Sequence, residues 1–241
     1  MRYAILSDIH GNLEALRAVL ADAAGQADAV LCLGDVVGYG ADPEACLELV
    51  AERCQATVAG NHEHGVAGLL DLDWFNPYAR AAAEWTRARL SDDARAWLGA
   101  LPLVREVEDA TLVHASPRQP DEWEYLLAAD DGWGAFPAFT TRLCFVGHSH
   151  VPAVWAERSR GREYRLRPDT IALEPGARYL VNVGSVGQPR DRDPRAAYAL
   201  WDLEARRVTI RRVAYDVARA REKILAAGLP RPLGDRLLAG R

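Results

Sequence analysis

Four short apolar runs in this chain each stop on a turn dense in side chains that bind metals or move protons. The turns are Ser7-Asp8-Ile9-His10, Gly34-Asp35, Gly60-Asn61-His62-Glu63 and Gly147-His148-Ser149-His150. The runs before them, such as Ala29 to Leu33 and Leu143 to Val146, read as buried strands. In open α/β sheets, ligands bind beyond the carboxyl ends of the strands. Four strand ends can therefore set distant residues around one point, and the fold must gather them at a common edge.

Tyr3 to Ser7, Ala29 to Leu33 and Ala56 to Ala59 alternate with two helical patterns. The first is capped by Asn12 and repeats Leu13, Leu16 and Leu20; the second opens on Asp42-Pro43 and buries Cys46, Leu47, Leu49 and Val50. This opening predicts a largely parallel sheet with helices packed on it. From about residue 68 to 101 strand signals vanish, and a helical excursion carries Trp74, Phe75, Tyr78, Trp85 and Trp97. Burial against the domain is the favoured reading of these aromatics, since such rings mostly supply core area; the sharper reading has some of them line a substrate pocket. Strands follow at Val104 to Val107 and Thr111 to His114, then a loop rich in Pro, Trp and acid at 116–137, which with the excursion is expected to shape specificity. Leu143 to Val146, Ala153 to Glu157, Tyr164 to Leu166 and Tyr179 to Val183 read as strands, and Ala197 to Leu203 with Arg207 to Val213 as a hairpin. A helix over Tyr215 to Ala227 precedes a loosely held tail with Pro230 and Pro232. Pattern alone thus predicts α/β with a parallel opening and an antiparallel second half.

The 241 residues, 49% of them hydrophobic, suffice for a sizeable core, and no linker divides them, so residues 1–241 read as one domain. A net charge of −5 supplies no basic field for long nucleic acid or an anionic membrane. The four cysteines form no C-x-x-C pair and read as reduced buried thiols. The chain begins a strand at once, without a charged leader, and no apolar run approaches the roughly 18 residues of a spanning helix. A soluble, cytoplasmic protein is expected. The sequence sets no oligomeric state.

There are only six histidines, at 10, 62, 64, 114, 148 and 150, each at or just after a strand end. One such residue is more often structural than a ligand. Six of them, accompanied by Asp8, Asp35 and Asn61, need a common partner, because buried unpaired polar groups are costly. A metal supplies one. Taken in order, Asp8-x-His10, Gly34-Asp35, Gly60-Asn61-His62-Glu63, His114 and Gly147-His148-x-His150 resemble the motif set of the calcineurin-like metallophosphoesterases. The resemblance spans about residues 3 to 190, and Asn182 to Arg190 is similar to a loop of small bacterial members. It implies a four-layer sandwich, two packed mixed β-sheets flanked by α-helices.

The resemblance further implies two divalent transition-metal ions. Asp8, His10, Asp35 and His150 would hold one; Asp35, Asn61, His114 and His148 would hold the other, with Asp35 bridging. Nitrogen and oxygen donors without thiolate suit Mn, Fe, Zn or Ni. The second ion has no anionic ligand besides Asp35 and is expected to be the weaker. Cations about 4 Å apart can clamp the oxygens of a phosphate ester and make a bridging hydroxide the nucleophile. His62 is the candidate general acid, with Asp35 or Glu63 as its orienting partner. Tyr39, His64 and Arg190 are candidate substrate contacts; an ordinary loop or surface role is the competing reading for each. The expected activity is hydrolysis of mono- or diesters of a small phosphorylated substrate. The rival from another class is a non-catalytic protein-binding scaffold of the same fold. A metallo-β-lactamase-type H-x-H-x-D-H cluster is absent, since Val151-Pro152-Ala153 follows His150, and so is a phosphate-binding Gly-Lys-Ser/Thr loop.

Overall fold

A computed structural model describes residues 1–241. The first sheet contains β1 (Arg2–Leu6), β2 (Ala29–Cys32), β3 (Cys54–Thr57), β9 (Thr170–Ala172), β11 (Ala196–Asp202) and β12 (Arg207–Val213), in the order β3-β2-β1-β11-β12-β9. The second contains β4 (Val104–Val107), β5 (Ala110–Val113), β6 (Leu143–Val146), β7 (Ala153–Arg158), β8 (Gly161–Leu166) and β10 (Arg178–Asn182), ordered β4-β5-β6-β10-β7-β8. Both are mixed. In the first, β1, β2 and β3 are parallel, and β11 joins β1 antiparallel. In the second, β5, β6 and β10 are parallel. The second half of the chain is therefore less purely antiparallel than its patterning suggests.

A core of 22 buried residues lies between the two sheets, with Ile5, Leu31 and Trp201 from one meeting Leu112, Phe145 and Val181 from the other. The outer face of the first sheet packs against α1 (Leu13–Ala23) and α2 (Pro43–Arg53). Beside them lie α3 (Asn61–Ala67) and the excursion's two α-helices, α4 (Pro77–Arg87) and α5 (Asp92–Gly99). The outer face of the second sheet is covered near α6 (Ala129–Ala135), where Phe136 and Phe139 meet Trp155 and Leu180. The four layers follow from strands with one or both faces apolar, each needing a cover.

Local chemistry fixes the helix starts. The Asn12 side chain accepts from the Ala15 N–H at 3.1 Å and donates to the Gly187 carbonyl at 2.8 Å, tying α1 to a distant loop. Asp42 makes no capping bond. Its carboxylate pairs instead with Lys223, the only lysine, on α7 (Val217–Ala226), which also reaches Glu14.

Other features also differ from expectation, among them the short strand β9. The tail is not loose: Arg231–Ala239 forms α8, burying Leu233 and Leu237 with Ala220 and Ile224 of α7 and with Tyr39. The 116–137 segment holds α6 rather than only loop. The excursion's aromatics divide: Trp85 and Trp97 are half-buried, whereas Trp74 is 83% and Tyr78 49% exposed. No helix is long and apolar enough to cross a membrane.

Candidate metal centre

The parallel strands of both sheets end at one edge, and their following turns carry the candidate ligands. Asp8 and His10 follow β1, Asp35 follows β2, Asn61 opens α3 after β3, His114 follows β5, and His148 and His150 follow β6. Asp8, His10, Asp35, His148 and His150 all adopt left-handed backbone, with φ between 51° and 63°. For residues with a Cβ such conformations cost on the order of 1–3 kcal/mol each, and they cluster where function requires them. The turns tolerate the strain because each is tied to its neighbours: Asp8 N–H donates to Gly34 O, His10 N–H to Asp35 O and Gly147 N–H to His114 O.

Asp8, His10 and His150 form one group whose ligand atoms lie close together; Asp35, His114 and His148 form another, and Asp35 also approaches His10 and His62. His10 Nδ1 lies 3.0 Å from the Val37 carbonyl, His150 Nδ1 2.6 Å from that of Gln188, and His114 Nδ1 2.8 Å from that of Leu33. A carbonyl can only accept, so each Nδ1 carries the proton; the neutral rings of His10 and His150 present a bare Nε2, and His114 turns its Nε2 toward Asp35. Those lone pairs converge. His10 Nε2 is 3.2 Å from His150 Nε2, and His150 Nε2 is 3.1 Å from Asp8 Oδ1. His114 Nε2 is 3.3 Å from Asp35 Oδ2 and 3.1 Å from His148 Nδ1. Asp8 Oδ1, Asn61 Oδ1 and His148 Nε2 are buried without a hydrogen-bond partner. Acceptors facing acceptors in a buried site is an arrangement that cations relieve, so the donor set fits metal ions of the nitrogen- and oxygen-preferring kind.

The electrostatics agree. Burial keeps the His10 and His150 imidazoles below their ordinary range. Burial also opposes charge on His114, but Asp35, Asp8 and Glu63 outweigh it and push that ring up to about 10. His148, buried and beside His114, falls to about 3. Burial works against the Asp8 and Asp35 carboxylates, yet the surrounding imidazoles hold both below the usual carboxylate range. The cluster is an anionic well that attracts positive charge.

His62 sits at the edge of this group. Its ring packs 4.8 Å from His10, 4.6 Å from Tyr39 and 5.0 Å from Phe75, and it lines the cleft. Neither expected carboxylate orients the ring. Asp35 Oδ1 accepts the His62 backbone N–H at 3.0 Å. Glu63 accepts four backbone N–H groups, those of Asp35, Val36, Val37 and Gly60, at 2.6 to 3.3 Å. Glu63 is thus the buried clasp that fixes the Asp35 turn to the start of α3, a role visible beforehand only in its capping-box spacing from Gly60. Gly38, at φ 85°, lets the backbone pass against the His62 ring; a Cβ there would collide with Nδ1. Burial lowers the His62 imidazole to about 4.

Tyr39 and Arg190 line the same cleft, with the Arg190 guanidinium 5.8 Å from the Tyr39 ring. His64 does not join the ligands; its ring packs edge-on against Trp123 at 5.1 Å. Trp123 and Tyr125 were not singled out from the sequence. Tyr125 stacks on His148 at 3.9 Å, and Trp123, Tyr125, Trp74 and Phe75 line a cleft adjoining Asn61 and His148. The available signal was the loop's Trp content, with Trp123 and Tyr125 placed close together. Of the excursion's aromatics, Trp74 and Phe75 thus border the site.

The sequence matches the calcineurin-like phosphoesterase superfamily domain over residues 1–206. An uncharacterized protein of Methanocaldococcus jannaschii is 41% identical over 245 residues, covering 99% of this chain and 98% of that protein. A solved metallophosphoesterase from Sphaerobacter thermophilus is 44% identical with a TM-score of 0.88, over 100% of this chain and 99% of that one. A hypothetical protein from Pyrococcus horikoshii, 22% identical, shares the fold with a TM-score of 0.81 over 100% and 98% of the two chains.

Proposed function

Because the chain belongs to the calcineurin-like phosphoesterase superfamily, we propose that its cleft hydrolyses mono- or diesters of a small phosphorylated substrate with two divalent transition-metal cations. Asp8, His10, Asp35 and His150 would hold one cation, and Asp35, Asn61, His114 and His148 the other. Bound there, the cations would neutralise phosphate charge and supply a water acidic enough to attack near neutral pH. The observation that carries the reading is the convergence of bare imidazole and carboxylate lone pairs, with no proton available between His10, His150 and Asp8.

The chain's own residues do the rest. The carbonyls of Val37, Gln188 and Leu33 hold three imidazoles with Nε2 facing inward. Glu63 holds the Asp35 turn in place. His62, kept in position by packing rather than by a carboxylate, is neutral while the cleft is empty; the anionic ester would draw a proton onto it, which it then hands to the departing alkoxide, an assistance typically worth about 10² to 10⁴ in rate. Trp74, Phe75 and Tyr125 narrow the approach.

The test is metal analysis of protein purified without chelator, with hydrolysis of aryl phosphate mono- and diesters under Mn, Fe, Zn and Ni. Up to two metal equivalents and chelator-sensitive turnover are expected. A protein that retains no metal and hydrolyses nothing with any of the four overturns the reading. Metal retained without turnover of any ester would favour the non-catalytic scaffold.

A further inference from the structure

Gln188 lies at the junction of the cleft and the C-terminal helix. Its backbone carbonyl fixes His150, and its buried side-chain oxygen accepts from two arginines: Arg190 Nη2 at 2.8 Å and Nε at 3.2 Å, and Arg236 Nη1 at 3.2 Å. Neighbouring arginines are neutralised, Arg212 of β12 by Asp191 and Arg195 by Asp193. Arg190 and Arg236 have only the neutral amide oxygen between them. Two cations held together in this way repel each other unless an anion joins them. Arg190 also lines the cleft, and its backbone N–H donates to the His150 carbonyl at 3.3 Å.

Arg236 is brought there by design of the fold. It belongs to α8, beyond the 1–206 segment that matches the family. The helix is pinned at its end: Arg192 N–H donates to Gly240 O at 2.8 Å, and Gly240, at φ 59°, lies so close to the Asp193 backbone that a Cβ would meet it at 2.7 Å. Leu233 and Leu237 anchor the inner face of α8. The guanidinium is half-buried, and burial together with Arg190 lowers its proton affinity, so its charge is held at a cost.

We propose that Arg190 and Arg236 form a subsite for a second phosphate, and that the substrates are phosphate esters carrying two separated phosphate groups, one at the metal cluster and one at the arginine pair. Guanidinium groups suit this because each can donate two parallel bonds to one oxyanion. The substrate part of the proposal rests on the phosphoesterase reading; the anion subsite does not.

Two measurements test it. In the first, chelator-treated protein is titrated with inorganic phosphate by calorimetry. One phosphate per chain is expected, with affinity reduced at least about tenfold in R236Q and in R190Q and less in R236K; R105Q, which removes an exposed charge on β4, serves as the control. Thermal melts check that each variant folds. Phosphate affinity unchanged in both glutamine variants overturns the subsite. In the second, metal-loaded protein is offered alkanediol bisphosphates of two to four carbons and the matching alkyl monophosphates. A kcat/KM preference for a bisphosphate of at least about tenfold is expected, falling toward unity in R236Q. Hydrolysis with no such preference removes the two-phosphate substrate and leaves the phosphoesterase reading standing. Arginine-dependent phosphate binding without hydrolysis of any ester removes the phosphoesterase reading and leaves the subsite.

Discussion

On the Asp8 side of the cleft both imidazoles are fixed from behind, His10 by the Val37 carbonyl and His150 by that of Gln188. On the Asn61 side only His114 is held that way, by Leu33. His148 turns Nδ1 toward His114, leaves Nε2 buried and unpartnered, and takes its ring orientation from Tyr125, itself 47% exposed. Asn61 adds a second orphaned atom, its Oδ1. Outer hydrogen bonds set tautomer and direction in metal sites, so the first half is organised in advance and the second is not. Asp35 Oδ2 approaches imidazoles of both halves, 3.6 Å from His10 Nε2 and 3.3 Å from His114 Nε2, and Glu63 holds its turn by accepting four backbone N–H groups.

The largest expected effect follows from that sharing. Asp35→Asn should empty both halves and reduce phosphoester turnover by about 10³ or more, since clamping by the cations is worth several kcal/mol. Metal analysis beside a chromogenic assay reads both. If one full equivalent survives, Asp35 serves one half only and the two are independent sites.

His62→Gln sharpens the boundary of the first half. His62 lies with His10 and Asp35 in a group that could itself hold an ion. As proton donor its loss should lower kcat by about 10² to 10⁴ with metal content unchanged. A loss of metal instead would make His62 a ligand and redraw the comparison.

Unequal preparation should also appear as unequal affinity. Graded dialysis against chelator should remove one equivalent first, at about 10- to 100-fold lower chelator strength than the other. His114→Ala should retain the tighter equivalent, and His10→Ala should lose it. Equal behaviour of the two variants would mean that the carbonyl backing of His10 and His150 adds nothing.

Much of this asymmetry lay beyond what the sequence could show. The order of strand ends was legible, because apolar runs closing on Asp8, Asp35, Asn61 and His148 signal position without needing packing detail. So was the Asn12 cap. The orienting partner of His62 was not: Asp35 and Glu63 both stood near it in sequence, yet their oxygens are taken by backbone N–H groups. The left-handed turns leave only a weak signature, because Asp and His adopt that backbone more often than most residues but still seldom. Elements were missed where a local signal pointed the other way. Strand β9 has three residues, too few for alternation. Helix α6 contains Gly132 and Gly134, ordinarily helix-weakening; Gly132 lies directly against the Trp155 indole. Helix α8 begins among prolines that read as a tail, although Pro is tolerated in a first turn, and Leu233 and Leu237 mark one face at i and i+4.

The smallest effect expected is on stability, and it bears on the second half directly. Asn61 Oδ1 is buried without a partner, and such a group costs about 1–3 kcal/mol. Replacing Asn61 with Ala removes that cost and places a better helix former at the start of α3. Metal-free Asn61→Ala should therefore melt higher than metal-free wild type, by about 2–4 °C for a gain near 1 kcal/mol in a chain of this length. Metal reverses the ranking. An ion that binds the folded state stabilises it in proportion to the logarithm of its concentration over Kd, so the wild type, with the extra ligand, should gain more on loading. Melting curves with and without metal should cross in order. If Asn61→Ala melts lower in both states, the oxygen is satisfied in the free protein, and the second half is as well prepared as the first.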